Sequence, residues 1–353
     1  MRAWPILAIV LVGCSGPMGD PGEGGAGDPD AWSGPDAPAL DAAPAPDDGG
    51  DAGPPMAPPG PRFIGRWDND RASWSHSAVA LRFTGTDLSV TLAGASVWYE
   101  VILDGARSKF QGGAGTYVLG AKLPNGPHDV VLARRQESFF GIGTFVGFSA
   151  PPNTWLPTPL PTRRMEVIGD SISAGYGDEG CPFGPNENSD LAYGAVAARA
   201  VGADVHIIAS SGIGMAKSLS NAKTMPQIYE HTFGDNNTTA WDFTRYAPDV
   251  VVINLGTNDN NAGVDKTAYK TAYTAFLATV RGHYPNALVY CVSQNGNTLV
   301  TELKAVVAAA ADPKVKYLAL SGNGVGCMGH PDVMGQQQMA NGLVAALQAD
   351  LGW

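Results

Sequence analysis

The chain has 353 residues, with 33 acidic against 22 basic side chains and a formal net charge of −11. No window concentrates Lys and Arg, which excludes a nucleic-acid binder, since phosphate recognition needs clustered positive charge. The histidines show no H-x-x-x-H spacing, so neither a metal nor another cofactor is expected.

Residues 1–14, "MRAWPILAIVLVGC", carry one early arginine, an apolar run and a small residue before cysteine, the layout of a secretory signal. The run is shorter than the roughly 20 apolar residues a bilayer span requires. Its ending "LVGC" resembles the lipobox of bacterial lipoproteins, which implies cleavage before Cys14 and lipidation of that cysteine; the alternative is an ordinary signal-peptide residue. Contact with a membrane is therefore expected only through a lipid at Cys14, at the cell envelope, or not at all if the protein is secreted. Residues 15–60 are rich in Pro, Gly, Ala and Asp and poor in large apolar side chains. Such a segment cannot bury a core and is expected to be a disordered acidic tether.

From 61 to 150 short alternating runs ("SAVALRFTG", "DLSVTLAG", "VWYEVILDG", "GTFVGFSA") are broken by Gly, Asn and Asp. Period-two alternation with frequent turns predicts an antiparallel β-sandwich of the jelly-roll kind, with "ILDG" and "LPNGPH" as turn signals. Residues 151–162, "PPNTWLPTPLPT", are too rich in proline for a central strand and read as a stiff connector. From 163 to 353 the rhythm changes. Apolar runs "MEVIG", "DVHIIAS", "DVVVINLG", "ALVYCVS" and "VKYLALS" alternate with helical patterns at 191–202, 266–284, 300–311 and 332–351. Continuous apolar strands separated by helices predict an α/β domain, a parallel sheet between helices.

The first of these strands ends in "GDSISAGYG", which places Ser171 at the carboxyl edge of the sheet, where open α/β folds bind ligands. The elbow G-x-S-x-G is absent, because position 173 is serine. The block instead resembles the GDS block of the SGNH (GDSL-type) hydrolases. "ASSGIGM" with Gly212 stands after the second strand, "LGTND" with Gly256, Asn258 and Asp259 after the third, and "GHPDVMG" with His330 before the last helix, all in that family's order. The resemblance implies a flavodoxin-like fold, Ser171 as nucleophile and His330 as general base. It also implies an oxyanion hole made by the backbone N–H groups of Ser171 and Gly212 and the amide of Asn258. Asp170 and Asp259 are expected to support loops rather than touch substrate. Cys327 and Met328 stand where many members carry an aspartate, so a Ser-His dyad is expected, with Asp332 as the competing partner of the imidazole.

Three cysteines lie beyond Cys14. Cys291, inside "ALVYCVS", reads as core, and a Cys181–Cys327 bridge would tie together the loops after the nucleophile and before the histidine.

The pairing of domains, with "FIGRWDND…SWSHSAVALRFTGTDLSVTL" ahead of "GDSISAGYG", looks like the family two carbohydrate esterases over roughly residues 62–350. That resemblance implies removal of acetyl groups from polysaccharides such as xylan or mannan. A monomer is expected, and the jelly roll is expected to buttress the catalytic loops, the alternative being that it binds carbohydrate. Trp155, Tyr176 and Trp241 are loop aromatics that could stack on a sugar or pack internally. The competing readings are a general short-chain or lipid esterase on the same fold, and a tethered glycan-binding protein without turnover.

Overall fold

The computed structural model describes residues 55–234, 238–294 and 296–353. The expected signal, Cys14 and the tether up to residue 54 lie outside the described residues.

The tether was expected to reach residue 60. Met56–Ala57 instead pairs antiparallel with Thr158–Pro159, inside the expected connector, and Trp155–Leu156 pairs with Phe83 and Arg82 at the edge of a sheet. Both segments are proline-rich, and a sheet edge is where proline costs no ladder hydrogen bond.

Two antiparallel sheets make the N-terminal domain. One runs Arg71–Ala72, Gly143–Phe148, Leu88–Gly94, Gly115–Gly120; the other runs Trp155–Leu156, Ala78–Gly85, Gly126–Arg134, Val97–Leu103, Ala106–Gly112, with Arg62–Ile64 also on Ala78–Gly85. Inward residues Val79, Leu81, Phe83, Val90, Leu92, Val101, Val130 and Leu132 form the core between them. "ILDG" makes the predicted hairpin, with Asp104 and Gly105 at φ 52° and 83°, the two positive values a twisted two-residue turn demands. "LPNGPH" does something else: it carries the chain from one sheet to the other, since Gly115–Gly120 and Gly126–Arg134 lie in different sheets.

The C-terminal domain has five parallel strands in the order Ala203–Ala209, Arg163–Gly169, Val250–Asn254, Leu288–Gln294, Val315–Leu320. Side chains alternate between two cores. Ile168, Val251 and Ile253 meet Tyr269, Tyr273, Phe276 and Leu303 of helices Lys266–His283 and Val300–Ala310. Met165, Val167, Val250 and Val252 meet Tyr193, Leu343 and Leu347 of helices Tyr193–Ala200 and Val333–Leu351. Burial on both faces explains why these strands read as continuous apolar runs. The strand that enters second in the chain lies on one side of the first, and the third lies on the other. Their carboxyl ends therefore splay apart at a topological switch point, the crevice where such sheets hold ligands.

The two domains are joined by buried charge. Arg66, from the N-terminal domain, donates through Nη2 to Glu166 Oε2 at 3.2 Å, and neither side chain is exposed. Buried Arg135 and the more exposed Arg107 both bond to Glu100, and they also reach across to Glu179 and Asp190, respectively, of the C-terminal domain.

Candidate active site

Ser171 begins a single helical turn, Ser171–Ala174, directly after the strand Arg163–Gly169, and Asp170 caps it by accepting from Ile172 N at 3.1 Å. The sharp strand-to-turn change leaves the Ser171 side chain at the switch point, with the residue 7% exposed. Its Oγ lies 2.8 Å from His330 Nε2, and His330 Nδ1 lies 3.0 Å from the carbonyl oxygen of Cys327. The carbonyl is an acceptor, so Nδ1 carries the proton and Nε2 is left free to accept from the serine hydroxyl. Asp332 does not touch the imidazole; its Oδ1 accepts from Gly335 N at 2.8 Å as cap of the final helix. The expected dyad is thus oriented by backbone. Desolvation lowers the His330 pKa below its ordinary value, against the raising effect of the Cys327 and Met328 carbonyls.

Cys327 is bonded to Cys181, which pins the loop before His330 to the loop after Ser171. Cys291 is a buried free thiol on strand Leu288–Gln294, pushed up to about 12 by burial and so inert at neutral pH.

Gly212 sits after the strand Ala203–Ala209 with φ +73°, and a Cβ there would fall 1.9 Å from Ser220 Oγ. The left-handed backbone and the returning chain at Ser220 both demand glycine there. Asn258 lies on the turn Thr257–Asn261, after the third strand, and its Nδ2 donates to Ile213 O at 2.9 Å and to Asp170 Oδ2 at 3.3 Å. Gly256, φ +128°, precedes that turn, and a Cβ on it would meet the Tyr269 hydroxyl at 2.8 Å. Asp259 accepts from Met215 N, Ala216 N and Lys217 N at 2.7–2.8 Å. It supports a loop, as expected, and that loop is the one that follows the second strand. Ser171, Gly212 and Asn258 therefore meet at the ends of three adjacent strands. Burial pushes the Asp170 carboxyl up to about 7.

Of the aromatics singled out, Trp155 donates to Ala150 O and packs on the N-terminal core, and Trp241 is buried near His206 and Arg66. Tyr176 alone reaches the site. Its ring centroid is 4.5 Å from that of His330 and 4.2 Å from Phe183, and Phe183 touches Phe139 and Phe140 of the N-terminal domain. Phe139 and Met328 are exposed on this rim.

Sequence reasoning did not single out the segment 134–138, five polar residues at and just beyond the end of the strand Gly126–Arg134, all of them buried. Glu137 accepts from both the backbone N and the Oγ of Ser211, next to Gly212. Burial pushes its carboxyl up to about 7. Charged residues gathered where an apolar strand ends ("RRQES" after "DVVLA") were the available signal.

Comparison with known proteins agrees with this architecture. Residues 167–349 match the GDSL-like lipase/acylhydrolase family, and residues 63–159 match the carbohydrate esterase 2 N-terminal domain. The chain is 35% identical to a cellulase/esterase, CelE, of Acetivibrio thermocellus over 84% of its own length and 40% of that protein's. It is 30% identical to an acetylxylan esterase / glucomannan deacetylase of Cellvibrio japonicus over 63% of this chain and 67% of that one. A solved family two carbohydrate esterase from Clostridium thermocellum, in complex with cellohexaose, matches with a TM-score of 0.78 at 35% identity, covering 83% of this chain and all of that one. On fold, on site geometry and on both domain matches, the chain belongs to the GDSL-like lipase/acylhydrolase family and has the two-domain organisation of its family two carbohydrate esterases.

Proposed function

We propose that this chain is a carbohydrate O-acetyl esterase that works through an acyl-enzyme on Ser171. The observation that carries the reading is the 2.8 Å contact between Ser171 Oγ and His330 Nε2 at the switch point. In that geometry the hydroxyl proton passes to Nε2 as Oγ attacks the acetyl carbonyl. Negative charge then develops on the carbonyl oxygen, opposite the backbone N–H groups of Ser171 and Gly212. The 3.3 Å bond from Asn258 to Asp170 is the looser of its two and can turn to the oxyanion, while the Ile213 bond keeps the amide in place. One such donor contributes about 3 kcal/mol to transition-state stabilisation. His330 next protonates the leaving sugar alkoxide, and a water activated by the same nitrogen releases acetate.

The carbohydrate leaving group is supported by relatives named for acetylxylan and glucomannan deacetylation and by a relative solved with cellohexaose. Placement outside the cytoplasm is supported by the Cys181–Cys327 disulfide, a bond that persists in oxidising compartments, and by the lipobox-like "LVGC".

The exposed apolar rim of Phe139 and Met328 favours a second reading, an esterase for longer acyl chains. Acetate release from acetylated xylan and glucomannan, compared between the protein and its Ser171→Ala variant, tests the first. A panel of 4-nitrophenyl esters from acetyl to octanoyl separates the two: preference for acetyl supports the deacetylase, preference for octanoyl overturns it. Any Ser171-dependent turnover also excludes a purely glycan-binding role.

A further inference from the structure

We infer that Glu137, on the N-terminal domain, is a positioning residue for the oxyanion loop of the catalytic domain, and this rests on Ser171 being the nucleophile. Its two carboxyl oxygens take the two hydrogen-bonding groups of a single residue, Ser211 N–H and Ser211 Oγ. Ser211 is followed by Gly212, whose N–H rides on the peptide plane between them. Clamping the nitrogen and the side chain of Ser211 leaves that plane little freedom to swing.

The rest of the loop is held from inside the catalytic domain. Ser210 N donates to Gly169 O at 3.2 Å, Ile213 N to Ser210 O at 3.3 Å, and Asn258 Nδ2 to Ile213 O at 2.9 Å. Ser211 faces outward from these ties, and Glu137 is its grip. A left-handed glycine has the widest choice of backbone conformation of any residue, so a loop built on Gly212 needs its neighbours fixed.

Glu137 is itself held firmly. It is fully buried, its N–H donates to Glu187 Oε1 at 2.8 Å, and its carbonyl accepts from Arg134 Nη2 at 2.6 Å. Burying a carboxyl group is unfavourable unless it is hydrogen-bonded, and an apolar side chain would have served packing alone. Here the bonds it makes are to the loop that must be aimed. Through Glu137 the N-terminal domain thus completes the catalytic site.

The test is the rate at which a small fluorophosphonate labels Ser171, measured on the full chain. Oγ attacks phosphorus, the P–F bond breaks, fluoride leaves and the proton passes to His330, so the readout uses nucleophile and oxyanion hole whatever ester the enzyme prefers. Glu137→Gln keeps one acceptor and sets an amide N–H₂ against the second donor. Its labelling rate should fall by about ten- to a hundredfold, the scale of a small misplacement in an active site, with the melting temperature within a few degrees. Ser211→Ala, which deletes one of the two bonds and leaves Glu137 buried, should fall by about three- to tenfold and serves if Glu137→Gln does not fold. On a 4-nitrophenyl acetate assay the losses should appear in kcat with KM nearly unchanged. Labelling of both variants within twofold of the parent overturns the inference, as does a loss that tracks unfolded protein and vanishes on cooling. Failure of the parent to release acetate from polysaccharide, with Ser171 still labelled, counts against the substrate reading and leaves this comparison intact.

Discussion

His330 Nδ1 lies 3.0 Å from the carbonyl oxygen of Cys327, and the sulfur of that same Cys327 is bonded to Cys181. A carboxylate in this position would orient the imidazole and stabilise its cation by charge; a carbonyl supplies orientation and only a dipole. The orientation must then come from a backbone that does not drift, and the disulfide provides it. Removing the bridge with Cys181→Ser and Cys327→Ser together should cost about 2–5 kcal/mol of stability and lower kcat more than it raises KM. Urea unfolding and steady-state kinetics on one preparation check both halves. A destabilised but fully active enzyme would show that the carbonyl holds its place unaided.

Asp332 provides the complementary case. It is an aspartate two residues from the base, yet its carboxylate caps the helix Val333–Leu351. Asp332→Ala should remove about 1 kcal/mol of stability, the usual worth of an N-cap, and change kcat/KM less than about threefold. A thousandfold fall in kcat with the fold intact is what a triad member would produce, and that outcome would contradict the dyad.

Much of this was legible in the sequence, for a physical reason. Parallel strands buried on both faces must be apolar along their whole length, so "DVVVINLG" and "ALVYCVS" announce themselves, and the blocks that carry chemistry stand where those runs stop. The sheet order was not legible, because it is set by which helix crosses which face. Nor were the ties between domains. Glu166 lies inside a strand that otherwise reads as core, and its partner Arg66 is a hundred residues earlier. Glu137 belongs to "RRQES", whose polarity suggests a surface loop; all five residues are buried because the second domain covers them. The proline-rich segment 151–162 was read as a connector, although Trp155–Leu156 and Thr158–Pro159 within it pair as short strands. A pattern along one chain reports which side chains avoid water. It does not report which distant partner allows a charge to do so.

The base itself predicts a pH profile. His330 must be neutral to take the serine proton, and burial sets its pKa below the ordinary 6.5. As pH falls, the neutral form persists further than for a free histidine, so the acid limb of kcat/KM should have its midpoint below 6.5. A midpoint above 7 would mean that a carboxylate, rather than the Cys327 carbonyl, faces the imidazole in solution.

The buried pair Arg66–Glu166 yields the last prediction. Glu166 also accepts from the hydroxyls of Tyr229 at 2.7 Å and Tyr284 at 3.3 Å, so each carboxylate oxygen already holds one hydrogen bond from the C-terminal domain and still has a lone pair to offer Arg66. Glu166→Gln removes the charge that Arg66 needs while leaving the guanidinium buried, an arrangement that typically costs about 3–5 kcal/mol. Arg66→Met with Glu166→Leu replaces both charges by apolar groups, takes away the unpaired cation and should recover most of that loss. Denaturant titration of the two proteins decides the matter. If the double variant is no more stable than Glu166→Gln alone, the tyrosine hydroxyls left without an acceptor outweigh the stranded charge, and the joint between the domains is held by that hydrogen-bond network more than by its ion pair.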